Sequence, residues 1–271
     1  MIDIRILGPV ELAVDGSPVH IGGDRPLSLL AALTIDIGHA VPVDRLIEDV
    51  WDDDLPHSAE ADLQSHVSRL RSVIGADRLV AGDHSYTLDL DPEVVDAVRF
   101  ERLTLGAERV LPDDPQAALD ACVDGMRLWR GYPFGSLGDL PFLRPAANRL
   151  LELRSSTIEI RLEADLALGR HARAIPMLET LVVEHPYRER LWFLLADALA
   201  RDGRRVEALR TLRRLDRELG EVGLAPSREI RELEQQIIDE VPPHVAKLAR
   251  HTNPANAWNS ETTRPTPRPA G

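Results

Sequence analysis

Two segments in the second half of the chain repeat each other at a constant offset of 34 residues. The matching pairs are Gly169-Arg170 and Gly203-Arg204, Ala174-Ile175 and Ala208-Leu209, and Leu178 and Leu212. A period of 34 residues is typical of tetratricopeptide repeats, in which each unit is a pair of packed helices. The small alanine at the same point of each unit lets paired helices approach closely. This half of the chain is therefore predicted to be a stack of helices.

Two units are fewer than the roughly three that a stable stack requires. Amphipathic periods over residues 96–110, 116–129 and 146–168 predict further helices, with proline breaks such as Pro112-Asp113-Asp114-Pro115 between them. After Val241 the composition changes to Pro, Asn, Ser and Thr. That change indicates a disordered tail, which is either the natural end or a linker from a larger protein.

The first part of the chain shows a different order of patterns. Residues 2–21 alternate apolar and polar side chains and are broken at Gly8-Pro9 and Asp15-Gly16, which predicts short antiparallel strands. Asp24 can cap a first helix that runs through Leu33 to Gly38, and Asp44 lies near the start of a second.

A third helix is predicted after Pro56-His57-Ser58 and ends at Gly75. Its apolar residues fall at i, i+4, i+7 and i+11 and form one stripe; they are Leu63, Val67, Leu70 and Ile74. Leu79-Val80 and Tyr86-Thr87-Leu88 then flank a turn over residues 81–85, which predicts a hairpin. Strands, helices and a final hairpin in this order indicate a winged helix-turn-helix.

We therefore expect a mainly α protein with small β-sheets. The predicted parts are an N-terminal winged helix-turn-helix DNA-binding domain over residues 1–94, an all-α tetratricopeptide-like domain over residues 95–241, and a disordered tail or linker over residues 242–271. At 271 residues the chain is long enough for two such domains, each with its own core.

The charge of the chain opposes a role in binding DNA. The formal net charge is −13, and the first 95 residues hold six arginines against eighteen acidic residues, a net charge of −12. Nucleic-acid-binding proteins usually present a basic surface to the phosphates. Any DNA binding must therefore operate through a few arginines that are focused on one face.

Composition and motifs argue against an enzyme, a secreted protein and a membrane protein. The chain has no phosphate-binding glycine loop of the Walker type and no metal-ligand spacing among its nine histidines, so no cofactor, no metal and no catalytic site are expected. The lone Cys122 cannot form an intramolecular disulfide, and residues 1–5 do not resemble a secretory signal. No apolar run approaches the roughly 18 residues of a membrane span. A cytoplasmic protein is expected.

The order of these parts and several short motifs resemble the Streptomyces antibiotic regulatory protein family, in which an OmpR-type winged helix precedes a bacterial transcriptional activation domain. The motifs in the first domain are Leu7-Gly8-Pro9, residues 43–47 before Trp51, and residues 67–71. Those in the second are residues 128–131, 163–171 and 184–191. The resemblance covers almost all of residues 1–241 and implies an activator of biosynthetic genes that recruits RNA polymerase at promoters with direct repeats.

The resemblance also implies which residues contact double-stranded DNA. The positions that match the contacts of OmpR-type recognition helices, together with a neighbouring glutamine on the same helix, are Gln64, Ser65, His66, Ser68, Arg69 and Arg71. Arginine reads guanine edges in the major groove and glutamine reads adenine, so the two arginines are expected to matter most. Binding to repeated sites would suit a homodimer on the DNA, in the nucleoid.

Several positions depart from the basic pattern of the family. Pro26 and Leu27 open the first helix, Glu60 opens the third, Ser72 follows Arg71, and Ala81-Gly82-Asp83-His84 in the wing carries no arginine. In OmpR-type proteins the loop between the second and third helices faces polymerase. The acidic residues in this loop, which would then face a basic surface on sigma factor or another subunit, are Asp52, Asp53 and Asp54. A solvated loop is the alternative.

The main rival hypothesis is a regulator that has weakened or lost DNA binding and works as a protein-interaction or ligand-sensing module. Helical repeats usually bind proteins along a concave surface, and a domain of charge −12 repels a duplex. Residues 132–142, rich in glycine and aromatic side chains, would either line such a binding site or serve as a packed connection between helices.

Overall fold

The computed structural model of the chain describes residues 1–52 and 55–240. The chain opens with an antiparallel sheet of order β1-β2-β3, formed by β1 (Ile2–Arg5), β2 (Glu11–Val14) and β3 (Ser17–Val19). Ile4 lies opposite Leu12 in this sheet, and both side chains are buried. The period-two alternation thus places one face of the sheet in the core, as the sequence predicts.

The helices of the winged helix are α1 (Asp24–Ile35), α2 (Val43–Trp51) and α3 (Ala59–Ile74). The apolar stripe of α3 is buried as predicted, and Gly75 ends the helix. Asp24 does not cap α1 with its side chain: Gly23 holds the N-cap position and Asp24 lies in the first turn, where a carboxylate still interacts favourably with the helix dipole. The helix also ends at Ile35, earlier than predicted.

A second sheet has the order β4-β6-β5 and contains β4 (Ala40–Pro42), β5 (Leu79–Gly82) and β6 (Ser85–Leu88). The predicted hairpin is confirmed, and its strands extend further, so that only Asp83 and His84 form the turn. The strand β4 has no signal in the sequence, because three residues are too few to show a period of two. Its pairing with β6 ties the wing to the α1–α2 connection.

The helical part that follows begins with α4 (Asp96–Val110), α5 (Pro115–Met126) and α6 (Arg144–Ala167). Each helix was predicted within three residues of its observed ends. Asp114 caps α5 by accepting a hydrogen bond from the backbone N–H of Ala117, and Pro115 occupies the first turn. Phe100 and Leu150 pack in the same apolar core as the winged helix.

The described residues divide into two compact units, the first ending at Leu168 and the second beginning at Gly169. The winged helix and α4–α6 therefore share the first unit. The compact units divide after residue 168, whereas the predicted domain boundaries lie after residues 94 and 241. These domain boundaries remain predictions.

The second unit contains α7 (His171–Glu184), α8 (Glu189–Arg201), α9 (Arg205–Glu221) and α10 (Arg228–Glu240). The paired positions of the 34-residue repeat are buried in both copies, namely Ala174 and Ala208, Ile175 and Leu209, and Leu178 and Leu212. Gly169 and Gly203 precede α7 and α9 with φ of 74° and 81°, a left-handed conformation that side-chain-bearing residues rarely adopt. The repeat is thus a repeat of turn geometry as well as of packing.

Other sequence predictions concern what the fold lacks. Within residues 1–52 and 55–240, no helix combines the length and the apolar character needed to cross a bilayer. The same residues contain no group of three His, Cys, Asp or Glu side chains placed to hold a metal ion. The predicted tail, residues 242–271, lies outside the described residues.

Candidate nucleic-acid interface

The outer face of α3 is an exposed polar surface. The helix has 16 residues, which corresponds to a length of about 24 Å. Gln64, Ser65 and Ser68 are exposed on it, opposite the buried stripe. Their hydroxyl and amide groups can both donate and accept hydrogen bonds. A helix of this size with such a face fits the major groove of DNA.

Arg69 lies at the edge of this face that is nearest the start of α1. Its side chain is exposed, and one Nη atom donates hydrogen bonds to the carbonyl oxygens of Ile21 and Gly22, each at 3.3 Å. Carbonyl oxygens hold the guanidinium in place without neutralising its charge. Arg69 is therefore a positioned cation beside the polar face of α3.

Arg71 contacts the wing. Its Nε atom donates a 2.8 Å hydrogen bond to the carbonyl oxygen of Leu79, and its guanidinium lies over the ring of Tyr86 at 5.7 Å. The side chain is half-buried by these contacts. Arg71 thus fixes the wing hairpin against the end of α3, a role that the sequence did not suggest. Within the described part of the chain its Nη atoms make no hydrogen bond, so they keep their donors for another group.

His66 is packed into an aromatic and cationic stack rather than standing free. Its ring stacks on Trp51 at a centroid distance of 5.8 Å, and the guanidinium of Arg25 lies 5.9 Å from the same tryptophan ring. Burial lowers the pKa of His66, and the nearby charges of Arg69 and Arg25 lower it further, against the opposing effect of Asp62. The folded protein therefore favours the neutral imidazole, which can both donate and accept a hydrogen bond.

The six arginines of the first 95 residues differ in what neutralises them. Arg5 pairs with Asp3 and Glu11, and Arg45 pairs with Asp36 and Asp49. By contrast, Arg69, Arg71 and Arg78 donate to uncharged backbone carbonyls. These three arginines lie on α3 or directly after it, and within the described residues none of them forms an ion pair with a carboxylate. This distribution reduces the conflict between the acidic net charge and a DNA-binding face.

The departures from the basic pattern of the family have structural explanations in α1 and the wing. Pro26 is buried, and Leu27 is partly buried against the core. In the wing, the ring of His84 lies 3.3 Å from a carboxylate oxygen of Asp44, and its carbonyl accepts a hydrogen bond from the N–H of Val43. The turn of the hairpin is thereby attached to α2.

The loop between α2 and α3 borders an open, acidic groove of about 570 Å³. The carboxylates that line it belong to Asp44, Glu48, Asp52 and Glu60, and Leu55 beside them is 60% exposed. Of the acidic cluster predicted to contact polymerase, only Asp52 is described; Asp53 and Asp54 lie outside the described residues. A groove with this lining suits a partner that is both basic and apolar.

The first unit also contains a junction between the winged helix and the helices that follow it. The backbone N–H of Arg130 donates to the carbonyl of Leu7 at 2.7 Å, and the N–H of Phe134 donates to that of Ile6 at 2.8 Å. The buried carboxylate of Asp96 accepts hydrogen bonds from the N–H groups of Ile6 and Leu7. Two motifs noted in the sequence, residues 7–9 and 128–131, are therefore in contact.

This junction explains residues 132–142. Phe134 is buried with φ of 61°, and Leu137 is buried in the core that the winged helix shares. Most of the segment is thus a packed connection, as one of the two sequence hypotheses held. Arg130 contacts Glu11, the carbonyl of Pro9 and Asp96. Sequence reasoning missed Arg130 and Asp96 as positioning residues, although the motif at 128–131 was a signal for the first of them.

Comparisons with known families match one family to the winged helix and another to the helices that follow it. Residues 95–238 match the profile of the bacterial transcriptional activator domain, and residues 20–83 match the one described as "Transcriptional regulatory protein, C terminal".

Individual relatives extend the likeness over nearly the whole chain. The chain is 32% identical to the transcriptional regulatory protein EmbR of Mycobacterium tuberculosis, over 93% of this chain and 67% of that protein. It is 36% identical to the transcriptional regulator RedD of Streptomyces coelicolor, over 81% of this chain and 66% of that protein. It is 32% identical to the regulatory protein DnrI of Streptomyces peucetius, over 87% of this chain and 91% of that protein.

A solved structure gives the same result for the fold. The structure of M. tuberculosis EmbR in complex with a low affinity phosphopeptide superimposes with a TM-score of 0.83 at 32% identity, covering 92% of this chain and 68% of that one. The mainly helical fold with small sheets is thereby shared with a known regulator.

Proposed function

Because the chain belongs to the Streptomyces antibiotic regulatory protein family, we propose that it activates a biosynthetic gene cluster by binding direct repeats in promoters and recruiting RNA polymerase. That it is a DNA-binding transcription regulator follows from the family. The observation that supports the proposed mode of binding is the exposed polar face of α3 with charged arginines beside it.

The residues of the interface have distinct proposed roles. Gln64, Ser65 and Ser68 contact base edges or phosphates from the outer face of α3, and Arg69 reads a guanine or binds a phosphate beside them. Arg71 holds the wing through its Nε atom and offers its remaining donors to the backbone of the DNA. His66 acts as a neutral hydrogen-bonding group whose ring is fixed by Trp51.

The polymerase contact is proposed for the acidic groove between α2 and α3. Asp52 and Leu55 line it, and Asp53 and Asp54 follow Asp52 in the sequence. A basic surface of sigma factor or another polymerase subunit would complement its charge. The test is transcription in vitro with Asp52→Asn: activation should fall while affinity for the promoter is unchanged, and a parallel loss of DNA binding would contradict the assignment.

DNA binding is tested by fluorescence anisotropy with duplexes from the upstream regions of neighbouring genes. Each phosphate neutralised by an arginine contributes about −0.9 to the slope of log affinity against log salt, so the few charged arginines predict a shallow slope of about −2 to −4. Arg69→Ala should weaken binding at least ten-fold. Arg45→Ala is the matched control, because it removes the same charge from the same domain but Arg45 pairs with Asp36 and Asp49. Absence of binding at low salt would favour the protein-interaction alternative.

A further inference from the structure

The helix α7 carries a second stripe, exposed and mainly apolar, in addition to its buried one. Pro176, Thr180 and Val183 lie at i, i+4 and i+7 and are exposed, and Tyr187 continues the spacing just beyond the helix end. Val183 is 61% exposed and Tyr187 is 57% exposed. The side chains that pack into the second unit are on other positions, such as Ala174 and Leu178. A surface helix of a globular protein normally has polar side chains on its outer face.

The repeat places arginines at the equivalent positions of α9. An offset of 34 residues takes Pro176 to Arg210, Thr180 to Arg214 and Val183 to Arg217, and all three arginines are exposed. Equivalent positions in successive repeats face the same side of a stack. The stripe of α7 and the arginines of α9 therefore face the same side of the second unit, which we call the α7–α9 face.

The charges of this face are only partly neutralised. Among residues 1–52 and 55–240, Arg210 and Arg217 have no hydrogen bond or ion pair through their side chains. Glu207, near Arg210, is bound by Arg204 through contacts of 2.9 and 2.8 Å. Arg214 lies over the ring of Trp192 at 5.1 Å and 3.8 Å from Glu218. Two exposed cations thus stand seven residues apart, about 10 Å along the helix.

We infer that the α7–α9 face docks an acidic amphipathic helix of a partner protein. Apolar side chains of the partner would pack on Pro176, Val183 and Tyr187, and its carboxylates would pair with Arg210 and Arg217. The helical part of the stripe, from Pro176 to Val183, rises about 10 Å, which corresponds to two turns of a partner helix. Arg–carboxylate pairing next to an apolar contact is typical of such helix docking.

The chain's own C-terminal segment does not fit this face by charge. Residues 241–271 contain Lys247, Arg250, Arg264 and Arg268 against a single acidic residue, Glu261. This net positive segment would be repelled by Arg210 and Arg217. Charge complementarity therefore favours a separate acidic partner.

The test uses the full chain and three synthetic 18-residue helices labelled with fluorescein. One helix combines leucine and glutamate on opposite faces, the second replaces glutamate by glutamine, and the third replaces it by lysine. Anisotropy at 50 and 150 mM salt should show binding of the glutamate helix, weakened by salt and at least ten-fold tighter than binding of the glutamine helix, equivalent to about 1.4 kcal/mol. The lysine helix should not bind.

Variants locate the site. Arg210→Glu combined with Arg217→Glu, and separately Val183→Asp, should each weaken binding of the glutamate helix at least ten-fold. The matched control is Arg228→Glu combined with Arg231→Glu on α10, which reverses two charges of the same unit and should leave binding unchanged. Arg210→Gln combined with Arg217→Gln, checked by circular dichroism, keeps the test valid if charge reversal disturbs folding.

Other outcomes would overturn the inference. Absence of binding by the wild type, equal binding of the glutamate and glutamine helices, or an equal loss in the α10 control would each refute it. If the Arg210 and Arg217 variants instead lose affinity for a labelled duplex, the face binds nucleic acid. If they abolish a dimer seen in sedimentation velocity, a second copy of the chain is the occupant.

Discussion

The substitution Gly8→Ala probes how tightly the winged helix is joined to the helices after it. A Cβ atom at residue 8 would lie 2.9 Å from the Cβ of Arg130, 3.2 Å from its carbonyl carbon and 3.3 Å from the nitrogen of Gly131. Favourable contacts between carbon atoms lie at about 3.5 to 4.0 Å. Two of these neighbours are backbone atoms, which cannot move away as a flexible side chain could.

The expected loss of stability has two sources. One is overpacking at residue 8, and the other is weakening of the hydrogen bonds between residues 6–7 and residues 130–134. Inserting a methyl group into a packed site costs about 1 to 3 kcal/mol. Moving these two segments apart by a few tenths of an ångström would also weaken the 2.7 Å hydrogen bond from the N–H of Arg130 to the carbonyl of Leu7. A backbone hydrogen bond contributes about 1 kcal/mol. The free energy of unfolding of the first unit should thus fall by about 2 to 4 kcal/mol.

Urea denaturation followed by circular dichroism measures this change. The matched control is Gly106→Ala in α4, where an added Cβ meets nothing within 4 Å and a helical alanine gains about 0.5 to 1 kcal/mol over glycine. The urea midpoint should fall for Gly8→Ala and stay level or rise for Gly106→Ala. An unchanged midpoint for Gly8→Ala would show that the junction is loose and refute the reasoning.

Three further predictions concern the interface and the repeat. Arg71→Lys keeps the positive charge but should still weaken DNA binding, because lysine cannot donate to the carbonyl of Leu79 and lie over the ring of Tyr86 at the same time. An affinity equal to that of the wild type in the anisotropy assay would contradict this role. Since the pKa of His66 is lowered on folding, its contribution to stability is present above the unfolded value of about 6.5 and is lost as the pH falls through the folded pKa. His66→Asn should therefore flatten the fall of the urea midpoint below pH 6.5, and an unchanged pH profile would exclude the shift. Trp192→Phe should destabilise the chain by about 1 to 3 kcal/mol in the same assay, because the half-buried carbonyl of Pro186 loses its 2.9 Å partner, the indole N–H of the buried Trp192; an unaltered midpoint would show that water replaces it.

The sequence predicted those elements whose signal is periodic and local. The stripe of α3 and the 34-residue repeat depend on spacing alone, and spacing is visible in one dimension. The strand β4 escaped prediction because three residues cannot show a period. The N-cap of α1 was assigned to Asp24 because its side chain suits the role, yet the backbone places Gly23 there.

The roles of the interface arginines depended on contacts that sequence cannot reveal. Arg69 and Arg71 are two positions apart and look equivalent in the sequence. In the structure Arg69 bonds the loop before α1, whereas Arg71 bonds the wing. The first contact joins residues that are 48 positions apart in the sequence, and the second joins residues that are 8 positions apart. Only the fold decides which neighbour each guanidinium meets.

The core that joins the winged helix to α4–α6 determines how this protein can be recombined with its relatives. A fragment ending near residue 94 would separate Ile6 and Leu7 from the backbone and carboxylate groups that they bond, and would uncover the apolar contacts of Phe100 and Phe134. A chimaera that exchanges DNA specificity should therefore be cut after Leu168, where the first compact unit ends. In this architecture the segment that must be exchanged to change the operator is larger than the winged helix itself.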